Sequence, residues 1–258
     1  MTLTGKRILI TRPVRQAEEM VRAVRERGGT AVVIPLIAIG PPPSWEACDS
    51  ALGRLAAFDA AAFTSVNAVE AFFDRARSLG VRREDLEALP AAAVGAATAA
   101  ALGERGIRVT LVPAEFSASS LGLALGGSMA GKRVLLPCGT IARETLAGTL
   151  RAAGAAVERV VVYATVASAD ADRSRVARGV LAGGFDVVTL ASPSAAHCFA
   201  GAFTPAERAR VHSRCRLAAI GGTTAEALRS LGLPADIIAG ESTGRGLVDS
   251  ITDYYARQ

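Results

Sequence analysis

The sequence predicts an α/β fold made of two similar three-layer lobes, each with a parallel sheet between layers of helices. Short β-branched apolar runs alternate with longer alanine-rich helical patterns, which is typical of parallel strands covered by helices. Three segments recur at an offset of 126 or 127 residues, and such agreement indicates an internal duplication. A chain of 258 residues with 50% apolar content can also bury two modest cores. A groove between the lobes is the expected ligand site. The repeated pairs are 6–34 with 132–160, 58–68 with 185–195, and 94–121 with 220–247.

The individual strands are predicted from β-branched apolar runs that end at Gly, Pro, Ser or Thr. Helices are expected after most of these strands, because the intervening stretches have helical spacing of apolar residues. In chain order the predicted strands are Arg7–Thr11, Ala31–Pro35, Ala60–Thr64, Ala91–Val94, Arg108–Val112, Arg133–Pro137, Val157–Tyr163, Val187–Leu190, Arg216–Ile220 and Ile237–Ala239.

A hinge is predicted at Pro35–Pro43, where an extended run leads into three consecutive prolines that cannot continue a helix. Its repeat counterpart, Val160–Val166, is equally extended. The two segments are therefore expected to pair as a two-stranded connector between the lobes. The residues alone leave two arrangements open, since each lobe is either contiguous or exchanges its first unit with the other.

The charge distribution favours a small acidic ligand over nucleic acid. The net charge is +5 and the isoelectric point is near 9.4, but the 29 basic residues form no long Lys/Arg run. With 5% aromatic residues the chain also lacks the stacking surfaces on which single-stranded nucleic acid binds. A solvated basic surface without a partner is the alternative interpretation. No Walker loop or dinucleotide-binding G-x-G-x-x-G pattern follows a predicted strand.

The cysteines and histidines are predicted to be structural. Four cysteines are far apart without a C-x-x-C pair, and the two histidines have no ligand spacing, so no metal site is expected. The first residues lead directly into a strand, and no run is long enough to cross a bilayer, so a cytoplasmic location is expected. A monomer is expected because no coiled-coil pattern is present. The cysteines are Cys48, Cys138, Cys198 and Cys215, and the histidines are His197 and His212.

A set of short motifs runs along nearly the whole chain. They are Leu9–Pro13 with Gln16 and Ala17, Gly28 and Gly29, Phe63–Val69, Val94 and Gly95 with Thr98, Ala99, Ala101 and Leu102, Val162 and Tyr163, Ser192–Ala195, and Ala219–Gly221 with Thr223–Leu228. Each motif is weak by itself, but together, and in this order, they resemble those of the uroporphyrinogen-III synthase family (HemD-like).

The resemblance implies two Rossmann-like or flavodoxin-like lobes that exchange their first units. One lobe is expected from residues 1–36 with 168–258, and the other from residues 42–158. Residues 37–41 and 159–167 are expected as the extended connectors between them.

The resemblance also implies a reaction. Such enzymes are lyases that close the linear tetrapyrrole hydroxymethylbilane to uroporphyrinogen III, with loss of water and inversion of ring D, through azafulvene and spirocyclic intermediates. They work in tetrapyrrole biosynthesis, which leads to haem, sirohaem and cobalamin, and they use neither metal nor organic cofactor. The enzyme that forms hydroxymethylbilane is a further partner that the resemblance suggests.

Helix starts after the strands suit an anionic substrate of this kind. Backbone N–H groups and partial positive charge at a helix N-terminus attract carboxylates, and open α/β sheets bind ligands at the carboxyl ends of their strands. Ser and Thr at these positions are equally expected as helix caps. For Arg12, a salt bridge to a nearby acidic residue is an equally expected alternative to ligand binding. The predicted substrate-binding residues are Arg12 and Pro13; Ser65, Val66 and Asn67; Gly95 and Thr98; Ser192 and Ser194; and Gly221, Thr223 and Thr224.

Tyr163 is the predicted catalytic residue. The resemblance implies that its hydroxyl lies at the groove and hydrogen-bonds the departing hydroxymethyl oxygen. Because a phenol is a weak acid at neutral pH, positioning with partial proton donation is the expected role. An aromatic side chain packed on the hinge is the alternative.

One position departs from the family pattern. Many relatives place Arg-Gly after the strand at 134–137, whereas this chain has Cys138-Gly139, so a cation is missing there unless Arg143 replaces it. A non-catalytic binding module for an anionic, tetrapyrrole-like ligand is therefore retained as the alternative function.

Overall fold

The computed structural model describes residues 2–115 and 117–257. The chain divides into two compact units. The first unit consists of Met1–Ala38 with Val166–Gln258, and the second unit is Ile39–Thr165. No helix in the described part of the chain is long and apolar enough to span a membrane.

The described residues alternate between short strands and helices. The strands are β1 (Arg7–Ile10), β2 (Thr30–Val33), β3 (Ile37–Gly40), β4 (Ala60–Phe63), β5 (Ala91–Ala93), β6 (Val109–Leu111), β7 (Arg133–Gly139), β8 (Ala156–Ala167), β9 (Val187–Leu190), β10 (Arg216–Ala219) and β11 (Ile237–Ile238). The α-helices are α1 (Val14–Glu26), α2 (Glu46–Leu52), α3 (Val66–Ser78), α4 (Arg83–Glu87), α5 (Ala96–Gly103), α6 (Ala118–Met129), α7 (Thr145–Ala152), α8 (Asp170–Leu181), α9 (Pro193–Gly201), α10 (Pro205–Val211), α11 (Gly222–Ser230) and α12 (Gly244–Ala256).

The first unit contains a five-stranded sheet in the order β11-β10-β9-β1-β2, and its paired strands are parallel. Alternation along β1 sends Leu9 into one core and Ile8 and Ile10 into the other, because successive side chains of a strand point to opposite faces. Helices α1 and α12 cover the face with Ile8, and α8, α9 and α11 cover the face with Leu9. Burial on both faces explains why the strands read as continuous apolar runs.

The second unit contains a six-stranded sheet in the order β3-β8-β7-β4-β5-β6. Its faces are covered in the same way, since Leu135 lies in one core and Val134 and Leu136 lie in the other. Phe63 and Phe72 fill the first of these cores, with ring centroids 5.8 Å apart. The α/β class with parallel sheets and helices on both faces is confirmed.

Equivalent contacts show how the duplicated halves are shared. The Asp186 carboxylate accepts a hydrogen bond from the Arg7 N–H at 2.8 Å, and the Asp59 carboxylate accepts one from the Arg133 N–H at 2.8 Å. Strands β1 and β9 therefore correspond to β7 and β4, and the order β11-β10-β9-β1-β2 corresponds to β6-β5-β4-β7-β8. Each unit combines the opening segment of one copy with the remainder of the other copy.

The extended segments differ in detail from the sequence prediction. Val157–Tyr163 was too short a strand, because β8 continues to Ala167. Part of the Pro35–Pro43 segment is strand β3, which lies beside β8 in the sheet. The two extended segments that the repeat equates therefore lie side by side. Several other strands end one residue earlier than predicted, because the next residue begins the turn into a helix.

Candidate functional site

The predicted site residues follow parallel strands, so within each unit they lie at one edge of the sheet. In the first unit, Arg12 follows β1, Ser192 follows β9 and Gly221 follows β10. In the second unit, Ser65 follows β4 and Gly95 follows β5. This is the carboxyl edge, where open α/β sheets bind ligands.

Two of these helix N-termini are capped by serine side chains. Ser65 Oγ accepts a hydrogen bond from the Ala68 N–H at 3.1 Å, and Ser192 Oγ accepts one from the Ala195 N–H at 3.1 Å. Each serine therefore acts as an N-cap, worth about 1 kcal/mol to folding. Val66 and Asn67 occupy the first turn of α3, and Ser194 occupies the first turn of α9, all partly buried.

Three helix starts at the same edges have no side-chain cap. They are Pro13 before α1, Gly95 before α5 and Gly221 before α11. Gly95 and Gly221 are repeat counterparts, at an offset of 126 residues. Because the first N–H groups of a helix have no intrahelical acceptor, these uncapped starts offer donors to an anion.

The threonines of these turns divide into buried and exposed positions. Thr98 and Thr224 lie in the first turns of α5 and α11 with 6% and 3% of their surface exposed, so their side chains pack inward. Thr223 is exposed at the second position of α11. The backbone N–H groups and Thr223 are therefore better placed than the buried hydroxyls to meet a ligand.

Two buried threonine side chains fix the backbone that precedes Arg12. Thr11 Oγ1 donates to the Thr189 carbonyl at 2.6 Å, and Thr189 Oγ1 donates to the Leu9 carbonyl at 3.0 Å. Both threonines are fully buried, so these hydrogen bonds tie β1 to β9 in a water-free environment. The Thr11 carbonyl also accepts from the Leu36 N–H at 3.0 Å, which fixes the end of β1.

Arg12 itself is partly buried and makes no hydrogen bond or ion pair with any residue that the structure describes. Burial lowers the pKa of its guanidinium, and the more distant charge of Glu19 opposes that effect. A salt bridge within the described residues, the alternative interpretation, is absent. Among the residues that the structure describes, the guanidinium therefore has no hydrogen-bonded counter-ion, and it lies beside the uncapped start of α1.

Tyr163 lies on β8, half-buried against the aromatic core of the second unit. Its Oη is 3.3 Å from Ser65 Oγ. Since Ser65 already accepts from the Ala68 N–H, its own hydroxyl proton can go to Tyr163, and the phenol proton is then available to a ligand. The ring packs on the core of the second unit, and Ser65 orients its hydroxyl.

The cation that lies near the end of β7 comes from the neighbouring strand β8. Arg159 on β8 donates from Nη2 to the Ala142 carbonyl at 3.0 Å and lies 3.7 Å from Cys138 Sγ. Its guanidinium also pairs with Glu144, so its charge is balanced. Arg143 is exposed. The sequence could not indicate Arg159, because the contact depends on the register between β7 and β8.

A cavity of about 690 Å³ in the second unit contains none of the predicted site residues. It is lined by α2 and β8, and its two arginines are already paired. Arg54 makes two hydrogen bonds to the Glu158 carboxylate, at 2.6 and 3.1 Å, and Arg159 pairs with Glu144. The cavity therefore lacks the unpaired cation that the edge of the first unit has in Arg12.

The cysteines are packing residues. Burial raises the pKa of the Cys48 and Cys215 thiols to about 12, and Cys138 is also buried. Such thiols are poor nucleophiles and metal ligands, because both roles need the thiolate. No group of three or more His, Cys, Asp or Glu side chains with metal-ligand geometry occurs within the described ranges.

Two exposed aliphatic residues near these edges were missed by the sequence analysis. Val14 begins α1 with 65% of its surface exposed, and Ile141 follows β7 with 61% exposed. At the 126-residue offset of the repeated segments 6–34 and 132–160, the counterpart of Val14 is Thr140, so the repeat does not pair the two aliphatic residues.

The fold and these edges define a class of protein: a duplicated α/β protein whose two parallel sheets present uncapped helix starts at their carboxyl edges. The family model described as "Uroporphyrinogen-III synthase HemD" matches residues 18–249. The chain therefore belongs to the uroporphyrinogen-III synthase family, enzymes of porphyrin biosynthesis.

Relatives and solved structures agree with this assignment. A uroporphyrinogen-III synthase from Synechococcus elongatus is 35% identical over 62% of this chain and 61% of its own length. One from Chlorobaculum parvum is 28% identical over 96% of this chain and 98% of its own length. A putative uroporphyrinogen-III synthase from Methanothermobacter thermautotrophicus is 32% identical over 88% of this chain and 90% of its own length.

The fold likeness extends over the whole chain. A uroporphyrinogen III synthase structure from Thermus thermophilus has a TM-score of 0.68 at 19% identity and covers 98% of this chain and 100% of its own. One from Helicobacter pylori has a TM-score of 0.65 at 19% identity and covers 96% and 99%. At this identity the two structures establish the fold.

Proposed function

We propose that the protein is a lyase that closes hydroxymethylbilane to uroporphyrinogen III, with loss of water and inversion of ring D. One observation carries the proposal beyond family membership: helix starts without side-chain caps occur at equivalent positions of both sheets, before α5 and α11. The acetate and propionate groups of a tetrapyrrole need several anion-binding positions, and a duplicated fold supplies them in pairs.

Substrate binding is assigned to the carboxyl edge of each sheet. The uncapped starts at Pro13, Gly95 and Gly221 donate backbone N–H groups to carboxylates, and Arg12 adds a full positive charge. Val14 packs against a pyrrole face beside the bound carboxylate. Held carboxylates restrict the conformations of the linear substrate, which favours cyclisation by proximity.

The chemical role is assigned to Tyr163. Its hydroxyl, oriented by Ser65, hydrogen-bonds the hydroxymethyl oxygen of the substrate and donates its proton as that oxygen leaves as water. The electron pair of the breaking C–O bond stays with the oxygen, and the pyrrole nitrogen supplies the electrons that form a protonated azafulvene. Its N–H proton then passes to the Tyr163 phenolate, which leaves the neutral azafulvene and restores the phenol. Inversion of ring D then follows from the conformation that the bound carboxylates impose.

We further propose a monomer in a reducing cytoplasm that receives its substrate from a hydroxymethylbilane-forming enzyme. The four cysteines are free thiols, as expected in a reducing compartment. The exposed large apolar residues are spread over both units, which supports a monomer.

The activity is tested with purified protein and freshly generated hydroxymethylbilane. The products are oxidised, and the porphyrin isomers are separated by chromatography. Isomer III is expected in excess over isomer I, which forms spontaneously. Isomer I alone, from folded protein, would contradict the proposed function.

A charge at one uncapped helix start tests the binding assignment. Thr223→Asp is expected to raise KM about fivefold, since repulsion of a nearby carboxylate costs about 1 kcal/mol. The same change should leave the protein slightly more stable, by about 0.5 kcal/mol, because an anion at a helix start is favourable. Steady-state kinetics and thermal unfolding measure the two effects.

Thr223→Asn is the matched control, because it has the same shape as Asp without the charge. Its KM should stay near that of the unmodified protein, and the difference from Thr223→Asp should shrink as salt is raised. Equal KM values for the Asp and Asn variants at low salt would exclude a substrate carboxylate at this helix start.

A further inference from the structure

Strand β7 ends in a glycine that lies directly against the Tyr163 ring. The pairing of β7 with β8 is regular up to Cys138, which is opposite Val161, and then shifts so that Gly139 is opposite Tyr163. The Thr140 N–H donates to the Tyr163 carbonyl at 3.1 Å, which fixes the shifted pairing. The register shift therefore places Gly139 and Tyr163 opposite each other, where the regular ladder would pair Gly139 with Val162.

The space at Gly139 is occupied by the phenol. A β-carbon added at Gly139 would lie 2.6 Å from Tyr163 Cζ, 2.7 Å from Cε2 and 2.9 Å from Oη. These distances are well inside van der Waals contact, and the Gly139 backbone does not have a positive φ. The requirement for glycine is therefore steric, and it comes from the end of the ring that carries the hydroxyl.

We propose that Gly139 is a positioning residue for the Tyr163 hydroxyl. By leaving room for the ring, it lets Oη reach Ser65 Oγ at 3.3 Å, while the N-cap contact to Ala68 holds Ser65 in place. Any side chain at position 139 displaces the phenol from Ser65. The inference rests on the proposed function, in which that hydroxyl acts on the leaving oxygen of the substrate.

The test is a double-mutant cycle in the full-length protein. Gly139→Ala, Tyr163→Phe and the double variant are assayed with hydroxymethylbilane for kcat, KM and isomer ratio. Gly139→Ala is expected to lower kcat on the order of 100-fold, as a displacement of about 1 Å can do, with KM changed less than about twofold. The double variant should be no slower than Tyr163→Phe alone.

The matched control is Gly148→Ala, on helix α7 of the same unit. A β-carbon at Gly148 meets no atom within 4 Å, so this variant should keep the full kcat. If Tyr163→Phe is slow while Gly139→Ala behaves like Gly148→Ala, the positioning role is wrong and the proposed function stands. If the Tyr163→Phe variant has the kcat of the unmodified protein, the proposed catalytic role of the hydroxyl is wrong, and the positioning role of Gly139 falls with it.

A folding defect in Gly139→Ala is resolved by a second cycle with Tyr163→Ala, which removes the ring. Thermal unfolding of Gly139→Ala/Tyr163→Ala should then match that of Tyr163→Ala, since the added methyl group has space. An equal loss of stability in the presence and absence of the ring would show that Gly139 is needed for another reason, which overturns the inference.

Discussion

Replacing Tyr163 by Phe is expected to lower kcat about 100-fold, within the range that a single proton donor contributes. The variant removes one oxygen and leaves the ring, which packs partly against the core of the second unit. KM should change little, because the contact with the departing oxygen strengthens only as the C–O bond breaks. Stopped-flow or discontinuous assays with hydroxymethylbilane measure kcat and KM separately.

Tyr254→Phe is the control for this experiment. Tyr254 is a partly buried tyrosine on α12 of the first unit, near Arg216 at the amino end of β10, whereas the site is assigned to the carboxyl edge. It should keep the unmodified kcat, and both variants should unfold near the temperature of the parent protein. A Tyr163→Phe variant with full kcat would remove the hydroxyl from the mechanism.

Replacing Arg12 by Gln is expected to raise KM about 30-fold. A charge-assisted hydrogen bond to a substrate carboxylate is worth about 2 kcal/mol, and an amide side chain keeps the polarity of the site without the charge. The effect should be largest at low salt and fall as salt screens the charge. Initial rates over a range of substrate and salt concentrations provide the measurement.

The stability of Arg12→Gln should move in the opposite sense to its affinity. In the free protein the partly buried guanidinium has no hydrogen bond or ion pair among the described residues, and burial lowers its pKa. Removing a charge that is held at a desolvation cost should leave the unfolding free energy unchanged or raised. Arg15→Gln, on the exposed side of α1, is the control and should change neither quantity. A large loss of stability in Arg12→Gln with an unchanged KM would identify Arg12 as structural.

Much of the architecture could be predicted from the sequence, because the duplication and the apolar runs are local patterns. The strand prediction Val187–Leu190 coincides with β9, and the runs that begin at Arg7 and Arg216 are strands β1 and β10. The sharing of segments between the units could not be derived from these patterns. Both β4 and β9 are apolar runs of four residues, so the pattern of β1 alone does not select its partner.

The candidate site residues were predicted from the turns that follow the strands, and their side-chain contacts within those turns depend on the tertiary structure. Ser65 and Ser192 are caps, whereas the repeat counterparts Gly95 and Gly221 leave their helices uncapped. That difference can be read from the residue types, since glycine has no side chain to accept a hydrogen bond. Burial of Thr98 could not be read, because it depends on which face of α5 packs inward.

The contacts at Gly139 and Arg159 lie beyond sequence-based prediction for a related reason. Both depend on the pairing of β7 with β8, and the register shift after Cys138 changes which residues face each other. A shift of one residue exchanges the faces of a strand, so a pattern in either strand alone cannot locate the Tyr163 ring. The packing space at Gly139 is visible only with both strands in place.

The most direct test of the account is whether an octacarboxylate tetrapyrrole contacts the uncapped helix starts. Protein labelled with ¹⁵N-glycine and ¹⁵N-alanine is titrated with uroporphyrin III, the oxidised form of the proposed product, and amide shifts are followed by NMR. We predict saturable shifts at Gly95, Ala97, Gly221 and Gly222, with Gly148 unchanged. Shifts confined to the lining of the 690 Å³ cavity, or no saturable shift in folded protein, would contradict the assignment of carboxylate binding to these helix starts.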